Sequence, residues 1–448
     1  MTAGTLSDSL KRVHQRASHA HLLPKNLSRS SEPPKRGRLD AVIVPASRPA
    51  CFLQPAIELA ASLGVVLVVL CSMQTKVEQV AKRVARTPGG RALIVPIPRG
   101  WEPGSFPKRT SAPEFQEAKA HRINDLSAKR NLGLLLARLQ GWNKIAFVDD
   151  DITLSGSRSM ARLAGQLDEH EVAGMVVQDF PDNSVVCHAR RLAGFWQDVF
   201  VTGAVLGVRC NSRHLSFFPD IYNEDWFFFA KQAAAHNLPR AGHARQAEYD
   251  PFATPDRACH EEFGDLLAEG LFALIGLEHP SVPIEKQLHT AKEPYWSQFI
   301  DARYEVLTET QTRLDDILDQ DSDGRLYSAL ASLAAARKQL EQTIKADLCV
   351  SFMDAWRRDL NDWHKFSNGL GNVGSFRAAM DCLELKTWTL AKFGAEMVDS
   401  ETAAIDSDAA LVNSGGSVVG QERLVLNPET ALADSERAED RHKSLVTI

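Results

Sequence analysis

Short apolar runs rich in β-branched residues recur through the first third of this chain, separated by helix-patterned segments. Leu39 to Val44 leads into Pro45. Val65 to Leu70 follows a helical stretch over 54–62, and Ala92 to Ile97 follows another over 76–85. A fourth run, Ile145 to Val148, comes after a segment with Leu132, Leu135, Leu136 and Leu139 on one face, Asp125 or Ser127 as N-cap and Gly141 at its end. Strands apolar on both faces need cover on both, and alternating helices supply it. The pattern predicts an α/β fold with a mostly parallel, Rossmann-like sheet flanked by helices. Beyond residue 151 it predicts a helix over 158–168, strands over 172–177, 185–189 and 200–208, and a helix over 222–235.

The fourth run ends in Asp149-Asp150-Asp151. The carboxyl end of a strand in an open α/β sheet is where ligands bind. Three adjacent anions there repel one another unless positive charge sits among them. A hard divalent cation carrying a substrate diphosphate would supply it. Alternate residues of an extended segment point the same way, so Asp149 and Asp151 can share an ion while Asp150 faces elsewhere. A solvated acidic turn is the competing reading.

Composition narrows the class. With 51 Lys and Arg against 57 Asp and Glu, the chain carries a formal charge of −6, which argues against nucleic-acid binding through phosphates. Seven cysteines without a Cys-x-x-Cys pair suggest reduced thiols in a cytoplasmic setting. Ala60 to Cys71, the most apolar stretch, is too short for a transmembrane segment and contains Ser62 and Gly64.

Four regions are expected: a flexible basic lead over 1–38, a catalytic domain over 39–280, a helical region over 281–395, and an acidic, disordered tail over 396–448. The helical region either packs on the catalytic domain or serves homo-oligomer formation. Within it, Asp319, Asp321, Asp323 and Gly324 match the opening of a calcium loop. Leu330 stands where the closing glutamate is needed, so a polar turn between helices accounts for the stretch.

Four pieces appear in order: Pro45, Ser47 and Arg48 at the first strand's tip; Lys129, Arg130 and Asn131 at a helix start; the acidic triplet; and Glu224-Asp225 after a segment containing Gly203 and Gly207. Cations are not what a helix N-terminus prefers, which points Lys129 and Arg130 toward a ligand. Together these pieces resemble the GT-A fold nucleotide-sugar glycosyltransferases, most closely the family-2-like branch, over about residues 39–280.

The resemblance implies a metal-dependent transferase moving a sugar from a nucleotide-sugar donor to an acceptor hydroxyl. Asp149 and Asp151 would hold Mn²⁺ or Mg²⁺, with His260, in a mobile polar loop, preferred over His243 as a third ligand. Asp225 would be the catalytic base, with Glu224 beside the acceptor or sugar. Pro45, Ser47, Arg48, Lys129, Arg130, Asn131, Asp150 and Gly203 would contact substrate, and Trp226 would offer an acceptor platform. The second strand ends without the carboxylate that reads the nucleobase in such enzymes. A nucleotidyltransferase of related fold and a non-catalytic nucleotide-sugar-binding protein remain as alternatives. The first lacks its glycine-rich loop here, and the intact carboxylates weigh against the second.

Overall fold

Residue packing follows the apolar runs closely, with one addition at the start of the chain. The computed structural model describes residues 3–24 and 37–399, apart from 103–105, 107, 181–182, 199, 278, 322 and 396–397. Helix α1 (Ala3–Arg16) opens it. Strand β1 (Ala41–Ala46), helix α2 (Gln54–Leu63) and strand β2 (Val66–Cys71) follow, and every residue of both strands is buried. Gly64 closes α2 in the left-handed conformation, φ 68°, where a side chain would be strained. Helix α3 (Val77–Arg86), strand β3 (Arg91–Pro96), helix α4 (Leu126–Leu139) and strand β4 (Lys144–Val148) complete the first half.

The second half runs β5 (Ile152–Thr153), α5 (Ser157–Gln166), β6 (Val172–Gln178), α6 (Val185–Leu192), β7 (Val201–Arg209), α7 (Glu224–Ala234) and β8 (Arg240–Gln246). Then come helices α8 (Asp256–Ile275), α9 (Ile284–Leu288), α10 (Glu293–Asp315), α11 (Arg325–Thr343), α12 (Ala346–Gly369) and α13 (Phe376–Cys382). Strands β9 (Thr389–Lys392) and β10 (Val398–Asp399) close the described residues.

One sheet holds all the strands, in the order β10-β9-β3-β2-β1-β4-β7-β6-β8-β5. Strands β3, β2, β1 and β4 pair in parallel, as do β6 and β8. Strand β7 runs antiparallel between β4 and β6, and the edge pairings are antiparallel too. The sheet is therefore mixed, its parallel core covered by helices as expected. From β1 the chain winds outward to β2 and β3, then returns to place β4 on β1's other side. That reversal puts a topological switch point, with its crevice, between the carboxyl ends of β1 and β4.

Three expectations need correction. Residues 3–24 are not a loose lead: Leu10 and His14 of α1 are buried against α8 and α10. His19 sits in an aromatic box of Phe200, Trp226, Phe229 and Phe272. Residues 185–189 are helix α6, not a strand. Ser184 caps it by accepting from the Cys187 amide, and the β-branched pair Val185-Val186 is outweighed by burial against α8 and α11. Finally, the C-terminal region is not purely helical, because β9 pairs with the free edge of β3. Residues 25–36 and nearly all of 396–448 lie outside the described residues.

The acidic stretch after α10 behaves as a turn. Asp321 accepts from the Tyr327 amide and Asp323 from the Arg325 amide, so both carboxylates serve the start of α11.

Candidate active site

The β1 tip and the β4 end meet through carboxylates. Asp150 turns toward β1: its Oδ2 accepts from the amides of Ser47 (2.7 Å) and Arg48 (2.9 Å), and Oδ1 pairs with the Arg48 guanidinium. Asp151 Oδ2 accepts from Arg48 Nη2 (2.9 Å) and Gln246 Nε2 (3.1 Å). Burial pushes the Asp151 carboxyl above its usual range, with Arg48 opposing the shift. Asp149 faces the other way, toward α4. Arg130 Nη2 donates to both its oxygens, at 2.9 and 3.1 Å.

Arg130 joins the two halves of the site. Its other arm, Nη1, pairs with Glu224 at the start of α7, and its plane lies over the Phe218 ring at 5.6 Å. Burial alone would lower its pKa, but Asp149, Glu224 and Asp225 together raise it, so the charge is permanent. Gly203 makes room for it: a Cβ there would stand 2.5 Å from Arg130 Nη1. The Gly203 amide in turn donates to Asp225 Oδ2 at 2.6 Å. Asn223 enters α7 with φ 61° and donates its amide nitrogen to Asp265 Oδ1 at 2.9 Å.

Arg130, Asp149, Gly203, Asn223, Glu224 and Asp225 line one cavity of about 110 Å³ together with Arg122, Ser184, Cys187, Trp226, Asp265, Glu269 and Ala17 of the α1 exit; Arg48, Asp150 and Asp151 are not among its lining residues. Its inner wall comes from α8. Arg303 of α10 serves three buried carboxylates there: Glu262 (2.9 Å, twice), Asp265 (2.8 Å) and Glu269 (3.0 Å). His14 Nδ1 donates to Glu269 Oε2 at 2.6 Å. Burial pushes the Glu262 carboxyl up to about 7 despite Arg303, and raises that of Asp265. Burial would raise Glu269 too, but Arg303 and His14 outweigh it and hold its carboxyl below the usual range.

The other expected site residues take different parts. Lys129 is fully buried, and its ammonium donates to Ala46 O (2.8 Å), Ser47 Oγ (2.8 Å), Ser72 Oγ (2.7 Å) and Asp125 Oδ1 (3.0 Å). It pins the tips of β1 and β2. Asn131 clamps the Phe218 backbone, donating to its carbonyl and accepting from its amide, both at 2.8 Å. Pro45 lies inside β1, buried and in register with Leu70. Trp226 is 3% exposed, edge-on to His19, Phe200 and Phe272, so it is cavity wall and core rather than an open platform.

His260 lies within helix α8, not in a mobile loop, and is not among the cavity-lining residues. His243 lies on β8 against Arg240. Among the described residues, no three His, Cys, Asp or Glu side chains converge as a metal site. A resident ion held by protein alone does not suit this arrangement. An ion arriving on a diphosphate does, because it takes most of its shell from phosphate and water and needs one or two carboxylates. The expected sharing of one face by Asp149 and Asp151 is not observed: Asp149 turns to Arg130, whereas Asp151 shares Arg48 with Asp150.

Asp265 and Glu269 were not anticipated. The available signal was Glu261, Glu262, Asp265 and Glu269, acids at near-helical spacing inside an otherwise apolar helix, a pattern that calls for buried partners.

No family model matches the chain, and no curated protein matches it. Among solved structures, a mannosyltransferase from Pyrobaculum calidifontis, determined in complex with GDP-Man and Mn²⁺, matches with a TM-score of 0.37 and 16% identity. The match covers 80% of this chain and 99% of that one. No helix among the described residues is long and apolar enough to cross a membrane.

Proposed function

We propose that this protein is a GT-A-type glycosyltransferase that moves a sugar from a nucleotide-sugar donor to an acceptor hydroxyl. One observation carries the reading. At the switch point Asp149 of the β4 end and Glu224 of α7 meet on Arg130, while Asp150 and Asp151 pair with Arg48 of the β1 tip. The mixed strand order with β7 reversed beside β4 and the seven free cysteines suit an enzyme of this class in the cytoplasm.

In this reading the donor diphosphate lies at the mouth between Arg48 and Asp149, and its sugar points inward past Gly203. A divalent ion brought with the donor, on Asp149 and Asp151, would draw charge from the departing diphosphate. Arg48, half-exposed, is free to turn from Asp150 and Asp151 toward phosphate. Arg130 keeps fixed positive charge beside the reacting centre. The acceptor oxygen bonds to the anomeric carbon while the carbon–oxygen bond to the diphosphate breaks and its electron pair leaves with phosphate. Asp225, aligned by the Gly203 amide, takes the hydroxyl proton.

The test is hydrolysis of a nucleotide-sugar panel with Mn²⁺ or Mg²⁺, followed by product analysis. The reading expects slow release of nucleoside diphosphate, abolished in Asp151→Ala. Release of pyrophosphate from nucleoside triphosphate plus sugar phosphate would favour a nucleotidyltransferase. Binding without turnover would favour a non-catalytic protein.

A further inference from the structure

The inner wall of the cavity carries more carboxylate than the mechanism uses. Asp265 and Glu269 reach it from α8, beside Glu224 and Asp225 from α7. Asp265 is accounted for, with one oxygen on Asn223 and the other on Arg303. Glu269 is not. Its Oε2 accepts from His14 and Arg303, whereas Oε1 is buried without a hydrogen-bond partner in the protein. Glu269 is 1% exposed and lines the cavity. An ionised oxygen taken out of water with nothing to accept from is costly, and such atoms are rare unless a ligand completes them.

Charge decides what kind of donor belongs there. Glu269 is the carboxylate held ionised, with Arg303 at 3.0 Å and His14 at 2.6 Å on its other oxygen. Arg130 is already committed to Asp149 and Glu224. An ionised oxygen in a site largely closed to water calls for a charged donor, because opposite charges attract more strongly there than in bulk.

We infer that this inner wall is a subsite for a protonated amine, with the ammonium donating to Glu269 Oε1 beside Asp265. Under the glycosyltransferase reading, on which its role as an acceptor subsite rests, the acceptor is an amino-bearing polyol such as an amino sugar. Helix α1 is part of the subsite, because His14 orients Glu269 and Ala17 closes the wall.

Calorimetry on the full chain at pH 7 tests this with three probes of similar size: D-glucosamine, D-glucose and N-acetyl-D-glucosamine. Glucosamine should bind at least about tenfold more tightly than either neutral sugar, the margin expected for a charge-assisted contact. In Glu269→Gln that preference should shrink to about threefold or less. Asp265→Asn, with a thermal melt on each variant, separates loss of the subsite from loss of the fold. Equal binding of the three sugars by the wild-type protein, or no binding of any, overturns the inference without involving any variant. So does Mn²⁺ binding that depends on Glu269 while glucosamine does not bind. These outcomes are independent of donor hydrolysis, so failure of the transferase reading would show separately.

Discussion

A single methyl group at Gly203 is the sharpest probe of the site. In Gly203→Ala the new Cβ would stand 2.5 Å from Arg130 Nη1 and 2.9 Å from both Cζ and Nη2. Ordinary contact needs about 3.5 Å or more, so the guanidinium has to retreat by about 1 Å. Its bonds to Asp149 at 2.9 and 3.1 Å then lengthen past useful range. Losing a hydrogen bond between charged groups costs about 1.5–3 kcal/mol, and forced overpacking of a dense site falls in the same range of ~1–3 kcal/mol. The two describe one event, so the expected destabilisation is about 2–3 kcal/mol. If Arg130 holds charge at the reacting centre, donor hydrolysis should drop by roughly 10- to 100-fold. The decisive assay is a double-mutant cycle with Arg130→Lys, read by urea denaturation and by hydrolysis rate. A linear ammonium has no planar fork against Gly203, so the alanine should cost little in that background. An equal cost in both backgrounds would refute the claim that glycine is there to admit the guanidinium.

Arg303→Met should destabilise the protein by about 3–5 kcal/mol, because Glu262, Asp265 and Glu269 lose their shared cation. Adding Glu262→Gln should recover part of the loss in a thermal melt, and no recovery would contradict the charge argument. Asp359, fully buried on α12, accepts from the amides of Arg109 and Thr110 at 2.9 Å and from the Thr110 hydroxyl at 3.0 Å. Asp359→Ala should lower the urea midpoint and open residues 108–115 to proteolysis; an unchanged digest would remove that role. Burial, with a smaller contribution from His21, pushes His19 down to about 3, so between that value and 6.5 only the unfolded chain takes up its proton. Stability from this group is lost as pH falls from 6.5 toward 3, and His19→Phe should flatten the decline. Glu262, raised to about 7, contributes the opposite slope: its stabilisation is lost as pH rises from 4.5 through 7, and Glu262→Gln should remove that fall.

Much of the architecture was legible because burial on both faces leaves a plain mark. Beyond the first residues of β3 and β4, Arg91 and Lys144, strands β1 to β4 had to be apolar, and the helices between them had to carry one apolar face. The acidic triplet was legible for a related reason, since three carboxylates at a strand end demand an explanation. Helix α1 was missed because its basic, polar composition masks Leu6, Leu10 and Val13, which recur at helical spacing on a helix that packs against α8 and α10. Of the apolar residues over 326–344 that recur at near-helical spacing, Leu333, Leu340 and Ile344 are buried but Leu326 and Leu330 only half so, while Ala329, Ser332 and Ala336 of α11 face inward. Close helix packing favours small residues that a hydrophobicity pattern ranks low.

By itself the amino-acid order determined that a covered, largely parallel sheet would form and that carboxylates would stand at the end of its fourth strand. It also determined which residue types were available for chemistry. Only the tertiary structure decided their partners. It turned Asp150 back onto β1 and Asp149 onto Arg130, enclosed Lys129 and Asn131 as braces, and brought Glu269 into the cavity beside Asp225. The physical reason is that periodicity reports only whether a side chain is buried. Which charge meets which, across separations of 94 residues between Arg130 and Glu224 or 255 between His14 and Glu269, is fixed by where the elements dock.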